Sequence, residues 1–221
     1  MKNNLLISLS GGLDSITLAY FAKKMGFYKI SAISFNYNQR HKNELEVAKR
    51  FAERLEIEHK VLDATFINQL GNSFLTNVEE VQEAAEQVKN TFVPGRNLFF
   101  IGMLATYAFT NGYNLIGLGV NKSDFNGYPD CRTEFLISME NTVNMALGTD
   151  DENKIRLYTP FQYHTKAQIF EEADKLGILD LVNKETVTCY NGIDGDGCGK
   201  CPACEERARG YLGYRSRLIG W

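Results

Sequence analysis

Two short stretches hold residues whose types and spacing could do chemistry. The first, SGGLDS at residues 10–15, sits between an apolar run ending at Leu9 and a second apolar run. Strand, glycine turn and helix in that order offer backbone N–H groups at a helix N-terminus, where the helix dipole also favours negative charge, so the turn invites a phosphate. It is not a Walker A loop, because the lysine–serine/threonine pair and the four-residue spacing between glycines are missing. Gly11 and Gly12 would let the backbone approach a polyphosphate, Ser10 and Ser15 add hydroxyl donors, and Asp14 could hold magnesium. An ordinary turn capped by Asp14 or Ser15 is the competing explanation.

The second stretch carries Cys189, Cys198, Cys201 and Cys204 at C-x8-C-x2-C-x2-C spacing. Four soft ligands so close together suit one tetrahedral thiolate zinc site, with Gly197 and Gly199 letting the chain turn around it. An iron–sulfur cluster is the competitor, since C-x2-C-x2-C also serves ferredoxin-type sites. Zinc is preferred because the segment reads as helix-poor and no second cluster motif is present. With four protein ligands, such a zinc is expected to be structural, closing the appendage without touching the reaction.

These stretches need elements to position them. Asn4–Leu9, KISAISFNY, EHKVLDA, NLIGLGVN and KIRLYTPF read as strands. Between them run helices toward Gly26, over NELEVAKRFAERLEI, over Leu98–Asn111, over Thr133–Ala146 and over TKAQIFEEADKLG. Such alternation predicts an α/β doubly wound parallel sheet with helices on both faces. The acidic, weakly patterned residues 68–91 read as a surface excursion and candidate lid. The chain is expected to divide into a nucleotide-binding and catalytic domain, 1–182, and a small cysteine-bearing appendage, 183–221.

Composition is that of a globular protein, with 221 residues, 44% hydrophobic and 23% charged. The net charge of −3 gives no general pull toward nucleic acid. No apolar run of signal-peptide or membrane-spanning length is present, so a cytoplasmic protein with reduced cysteines and no membrane partner is expected.

The loop SGGLDS after a first strand resembles the pyrophosphate loop (PP-loop) of the N-type ATP pyrophosphatases. The resemblance implies adenylation of an oxygen by ATP with magnesium, the loop from Leu9 through Ser15 gripping the leaving pyrophosphate, and a phosphate-contacting lysine matched by Lys166 in HTKAQI. Five segments in order extend the likeness over nearly the whole chain: the glycine loop, FNYNQRH, TFVPGRN, GV leading to DFNGYPDCR, and CYNG leading to DGCGKCPAC. Together they resemble the 7-cyano-7-deazaguanine synthase family, departing chiefly at Ile16 and in 68–91. Each segment taken singly could be an ordinary turn.

The family resemblance implies 7-carboxy-7-deazaguanine and ammonia as substrates, a nitrile product, two ATP cleaved to AMP and pyrophosphate, structural zinc and a homodimer. Beyond the second strand, Arg40 would lie near the nucleotide and His41 is a candidate proton shuttle, with a hydrogen-bonded structural histidine as its alternative. Arg96 is a candidate for the substrate carboxylate or the α-phosphate, with a helix-start salt bridge as its alternative. The loop Asp124–Arg132 is the expected base site, with Asp130 accepting the ring N–H and amine while Phe125 or Tyr128 stacks. Cys131 reads as incidental. A tRNA-thiolating enzyme of the same group, or a non-catalytic nucleotide or zinc module, are the rival functions.

Overall fold

In the computed structural model, residues 3–39, 43–69 and 93–219 are described. Arg40, His41 and most of the expected 68–91 lid lie outside them. The strands are β1 (Asn4–Ser8), β2 (Lys29–Asn36), β3 (Glu58–Asp63), β4 (Leu115–Gly117) and β5 (Arg156–Tyr158). They pair in the order β3-β2-β1-β4-β5, every pair parallel. The helices are α1 (Leu13–Met25), α2 (Asn43–Arg54), α3 (Arg96–Asn111), α4 (Thr133–Leu147), α5 (Lys166–Lys175), α6 (Leu179–Glu185) and α7 (Pro202–Ile219). This is the α/β doubly wound parallel sheet that the alternation predicts.

Because side chains alternate along a strand, the sheet feeds two cores. Leu5 and Ile7 of β1 face one core, packed by residues of α1, α2, α5, α6 and α7, whereas Leu6 faces the other with Ile33, Phe35, Ile116 and residues of α3 and α4. A strand buried on both faces reads as a continuous apolar run, which is what LLI provides. The strand order reverses between β1 and β4, and the crevice beyond the carboxyl ends of strands at that point is where open α/β sheets bind ligands.

The C-terminal segment departs from expectation. The boundary drawn at 182/183 falls inside α6, and Val187 and Tyr214 belong to the same core as β1. The segment expected to be helix-poor carries the 18-residue α7. Its helical signal is masked in sequence by Gly210 and Gly213, which cost a helix about 1 kcal/mol each relative to alanine. Both glycines have packing reasons. A Cβ on Gly210 would stand 2.5 Å from Lys166 Cγ, and one on Gly213 would stand 3.4 Å from Ala167 Cβ, so α7 packs on α5 through its smallest residues.

Candidate active site

A cavity of about 340 Å³ opens at the β1/β4 switch point. That is the size of a small-molecule site. The end of β1 supplies Ser8, Leu9 and Ser10, and the first turn of α1 supplies Asp14 and Ser15. Gly12 stands at the helix N-cap with no side-chain hydrogen bond capping it, so the first-turn amides of α1 are left to a ligand or water. The loop is braced internally. Ser10 N–H donates to Ser15 Oγ at 3.2 Å, the two hydroxyls lie 3.0 Å apart, and Ser15 Oγ donates to the Gly12 carbonyl at 3.1 Å.

Gly11 and Leu13 are buried and, with half-buried Gly12, fall outside the cavity lining. Gly11 adopts φ +82°, and a Cβ there would come within 2.5 Å of the Glu44 carbonyl, so this glycine lets the loop seat against α2. Gly119, after β4, serves the same end: its Cβ would stand 3.0 Å from Ser15 N.

Lys166, at the first position of α5, is buried and reaches Asp14 with its Nζ 2.8 and 3.0 Å from the two carboxylate oxygens; Glu206 of α7 lies at 3.9 Å. Burial works against its charge, but Asp14, Asp124 and Glu206 outweigh it and hold the ammonium above its ordinary range. The Thr165–Gln168 capping box fixes the start of α5, and hence the root of this side chain. Asp124 lines the same space. Burial, opposed by Lys166, pushes it up to about 6, and its Oδ2 accepts from both the backbone and side-chain amides of Asn121 at 2.9 Å.

The opposite part of the wall is aromatic. Phe35 and Phe100 stack at 4.0 Å, Tyr37 tilts against Phe100, and the Arg96 guanidinium lies 5.9 Å from the Tyr128 ring centre. Burial disfavours the Arg96 charge, yet Tyr37, Tyr128, Cys131 and Asp130 keep it raised. Burial pushes the Tyr37 hydroxyl up to about 12 and Glu44 up to about 7, Arg96 pulling both back.

Among the sequence-derived candidates, Leu9, Ser10, Asp14, Ser15, Lys166, Arg96, Asp124 and Tyr128 are thus brought together. Phe125 and Arg132 are not: Phe125 packs edge-on to Tyr163, and Arg132 is exposed with its Nε donating to the Phe125 carbonyl. Asp130 lines a smaller adjoining void of about 30 Å³. Its Oδ2 accepts from Asn97 N–H at 3.0 Å, and its buried Oδ1 has no hydrogen-bond partner among the described residues. Cys131 lines the cavity, and burial pushes its thiol up beyond its ordinary range.

The four cysteine sulfurs lie within 4.8 Å of one another, with Cys201 and Cys204 at 3.3 Å and Cys198 and Cys204 at 4.0 Å. Thiolates about 2.3 Å from one tetrahedral ion stand about 3.8 Å apart, so the cradle fits a single metal ion. The site adjoins the cavity: Cys189, Tyr190, Ala203 and Glu206 line it. Val187 N–H donates to the Gly11 carbonyl at 3.1 Å, tying the cysteine segment to the glycine loop. Buried Arg207 locks that segment to α7, donating to Thr186 and Thr188 hydroxyls at 2.9 and 3.0 Å and to the Val182 and Asn183 carbonyls.

Sequence reasoning missed Glu44, Tyr37, Phe35, Phe100, Glu206, Arg207 and Gly119. The available signals were strand alternation for Phe35 and Tyr37, and helical phase relative to Lys166 for α7, had α7 been recognised.

Residues 4–215 match the family model described as Queuosine biosynthesis protein QueC. A protein named 7-cyano-7-deazaguanine synthase from Clostridium botulinum (strain 657 / Type Ba4) is 44% identical over 99% of both chains. One of the same name from Phocaeicola vulgatus is 46% identical over 96% of this chain and 95% of that one. Among solved structures, NMN synthetase from Francisella tularensis superposes with a TM-score of 0.55 at 19% identity, covering 99% of this chain and 78% of that one, a likeness of fold.

Proposed function

The chain belongs to the QueC family of queuosine biosynthesis proteins, and from that membership we propose that it converts 7-carboxy-7-deazaguanine and ammonia to 7-cyano-7-deazaguanine, cleaving two ATP to AMP and pyrophosphate. The observation that carries the proposal is one cavity walled on one part by an uncapped helix N-terminus with Asp14 and Lys166, and on another by stacked aromatics with Arg96. The first suits a polyphosphate and the second a flat heterocycle bearing a carboxylate.

A carboxylate is a poor electrophile whose oxygen cannot leave. Its attack on the α-phosphorus of ATP breaks the bond to the β-phosphate, and the pyrophosphate charge falls on the α1 amides and Lys166. Ammonia then displaces AMP from the acyl carbon to give an amide. Adenylation of the amide oxygen by a second ATP allows AMP to depart again as the nitrile forms. Arg96 holds the carboxylate or the α-phosphate, and Asp124 and Tyr128 contact the base, with the free Oδ1 of Asp130 a second acceptor. Asp14 and Asp124 are carboxylates within reach of the magnesium that accompanies ATP.

The four cysteines would hold zinc, which when bound supplies a structural cross-link and no open coordination position. Among the described residues no helix is long and apolar enough to cross a membrane; the enzyme is proposed to be cytoplasmic and to act on a free base. A homodimer completes the proposal. Incubation with the carboxydeazaguanine, ammonium and MgATP, followed by mass analysis, is expected to yield the nitrile with two AMP per product. Absence of the nitrile, or turnover only with tRNA, overturns the proposal.

A further inference from the structure

The proposed reaction must shed protons. Ammonia brings three N–H bonds to the acyl carbon, and the nitrile nitrogen keeps none. The acidic groups of the cavity are mostly committed already. Asp14 is gripped by Lys166 and Asp124 is held by the amides of Asn121, while Glu206 lies 3.9 Å from the same ammonium, its buried Oε1 without a hydrogen bond among the described residues. Burial raises the Cys131 thiol and the Tyr37 hydroxyl far enough to keep both neutral.

Glu44 is different. It lines the cavity from the first turn of α2, and among the described residues its carboxylate has neither an ion pair nor a hydrogen bond. Its own backbone carbonyl lies against Gly11, so the turn that carries it is packed directly on the glycine loop. The charges it feels come from Arg96 of α3, and Tyr37 at the end of β2 feels Glu44 in turn. It therefore adjoins both the loop assigned to the leaving phosphates and the arginine assigned to the substrate carboxylate or α-phosphate.

We infer that Glu44 is a catalytic residue of this reaction, the base that takes protons from nitrogen as ammonia displaces AMP and again as the amide becomes the nitrile. The inference rests on the reaction proposed above. In the first step the nitrogen lone pair forms the C–N bond, the C–O bond to AMP breaks with its electron pair leaving on AMP, and one N–H proton passes to the Glu44 carboxylate, which returns it to solvent. In the second, after the amide oxygen has taken AMP, the remaining protons leave nitrogen while its electrons complete the C≡N bond and AMP departs. Burial, opposed by Arg96, pushes Glu44 up to about 7, matched to proton transfer near neutrality. The base form dominates above that value and is lost as pH falls through it. The other titratable or charged groups lining the cavity are Asp14 of α1, Tyr37 beyond β2, Arg96 of α3, Asp124, Tyr128, Cys131, Lys166 of α5, Cys189, Tyr190 and Glu206 of α7.

The test is single-turnover kinetics of Glu44→Gln, with Glu44→Asp beside it. Without ammonium, the first pyrophosphate release from the acid and MgATP is expected to match wild type in both variants. With ammonium, amide formation is expected to fall about 100-fold in E44Q and to lose the limb near pH 7, while E44D keeps the limb at reduced rate. An E44Q enzyme that forms amide at the wild-type rate with its limb intact overturns the inference, as does equal loss of adenylation and amidation. A wild-type enzyme that releases no pyrophosphate with this acid overturns the proposed reaction, and the inference with it. A wild type that adenylates and amidates, alongside an unimpaired E44Q, overturns the inference alone.

Discussion

Replacing Gly210 by alanine should separate the positioning of Lys166 from the stability of the fold. The added Cβ would stand 2.5 Å from Lys166 Cγ, 2.7 Å from its Cβ and 3.3 Å from its carbonyl carbon. Rotation about χ1 could move Cγ, but Cβ at 2.7 Å and the carbonyl carbon are fixed by the backbone of α5. Normal carbon–carbon contact needs about 3.5–4.0 Å, and α5 and α7 must therefore part by about 1 Å. Overpacking of this kind costs about 1–3 kcal/mol, and the better helix propensity of alanine returns about 1 kcal/mol. The net loss of stability should be at most about 2 kcal/mol. Lys166 Nζ, however, is placed to within hydrogen-bond distance of both Asp14 oxygens, and a displacement of about 1 Å can cost about 100-fold in rate. Urea unfolding and pyrophosphate release measured on the same preparation give both numbers. Gly213→Ala is the control. Its Cβ would meet Ala167 Cβ at an ordinary 3.4 Å, so it should stabilise the protein by about 0.5–1 kcal/mol and leave activity unchanged. Wild-type pyrophosphate release in G210A would refute the claim that α7 sets the lysine.

Lys166→Met should abolish AMP formation, falling by at least about 100-fold, in a pyrophosphate-release assay. Cys204→Ser should lower metal content below one ion per chain, measured by elemental analysis, and weaken pyrophosphate binding in a titration, because Cys204 shares α7 with Gly210 and Glu206. The raised pKa of Glu44 also predicts a stability effect. The folded protein holds this proton more tightly than the unfolded chain, so stability falls as pH rises from the ordinary glutamate value to about 7. Glu44→Gln should accordingly melt at higher temperature than wild type at pH 8, with the gap closing toward pH 5; a gap that is absent or reversed would show that Glu44 is not buried as a carboxylate.

The parts of the site legible in the sequence were those written contiguously. SGGLDS holds a turn, a cap position and an acid within six residues, and the last three cysteines fall within seven, so local spacing alone exposes their chemistry. Lys166 has no such signature. Its meeting with Asp14 depends on a parallel sheet bringing the start of α5 to the start of α1, and only the family resemblance pointed to it. Glu44 is harder still, since an acid in the first turn of a helix is what the helix dipole favours anyway. Its distinction, a carboxylate in the cavity with no hydrogen bond or ion pair among the described residues, is a property that exists only in three dimensions.

The misjudged C-terminal segment shows the converse. Glycines there suggested a helix-poor appendage because their helix cost is local, whereas their benefit, the close approach of α7 to Lys166 and Ala167, is tertiary. The same two glycines that hid the helix are what bring the cysteine-bearing α7 against Lys166 and Ala167. With Val187 bonded to Gly11 and Arg207 tying Thr186 and Thr188 to α7, the segment grips both sides of the glycine loop's ion pair. A metal at the four cysteines would then fix the shape of the proposed phosphate site without touching a phosphate.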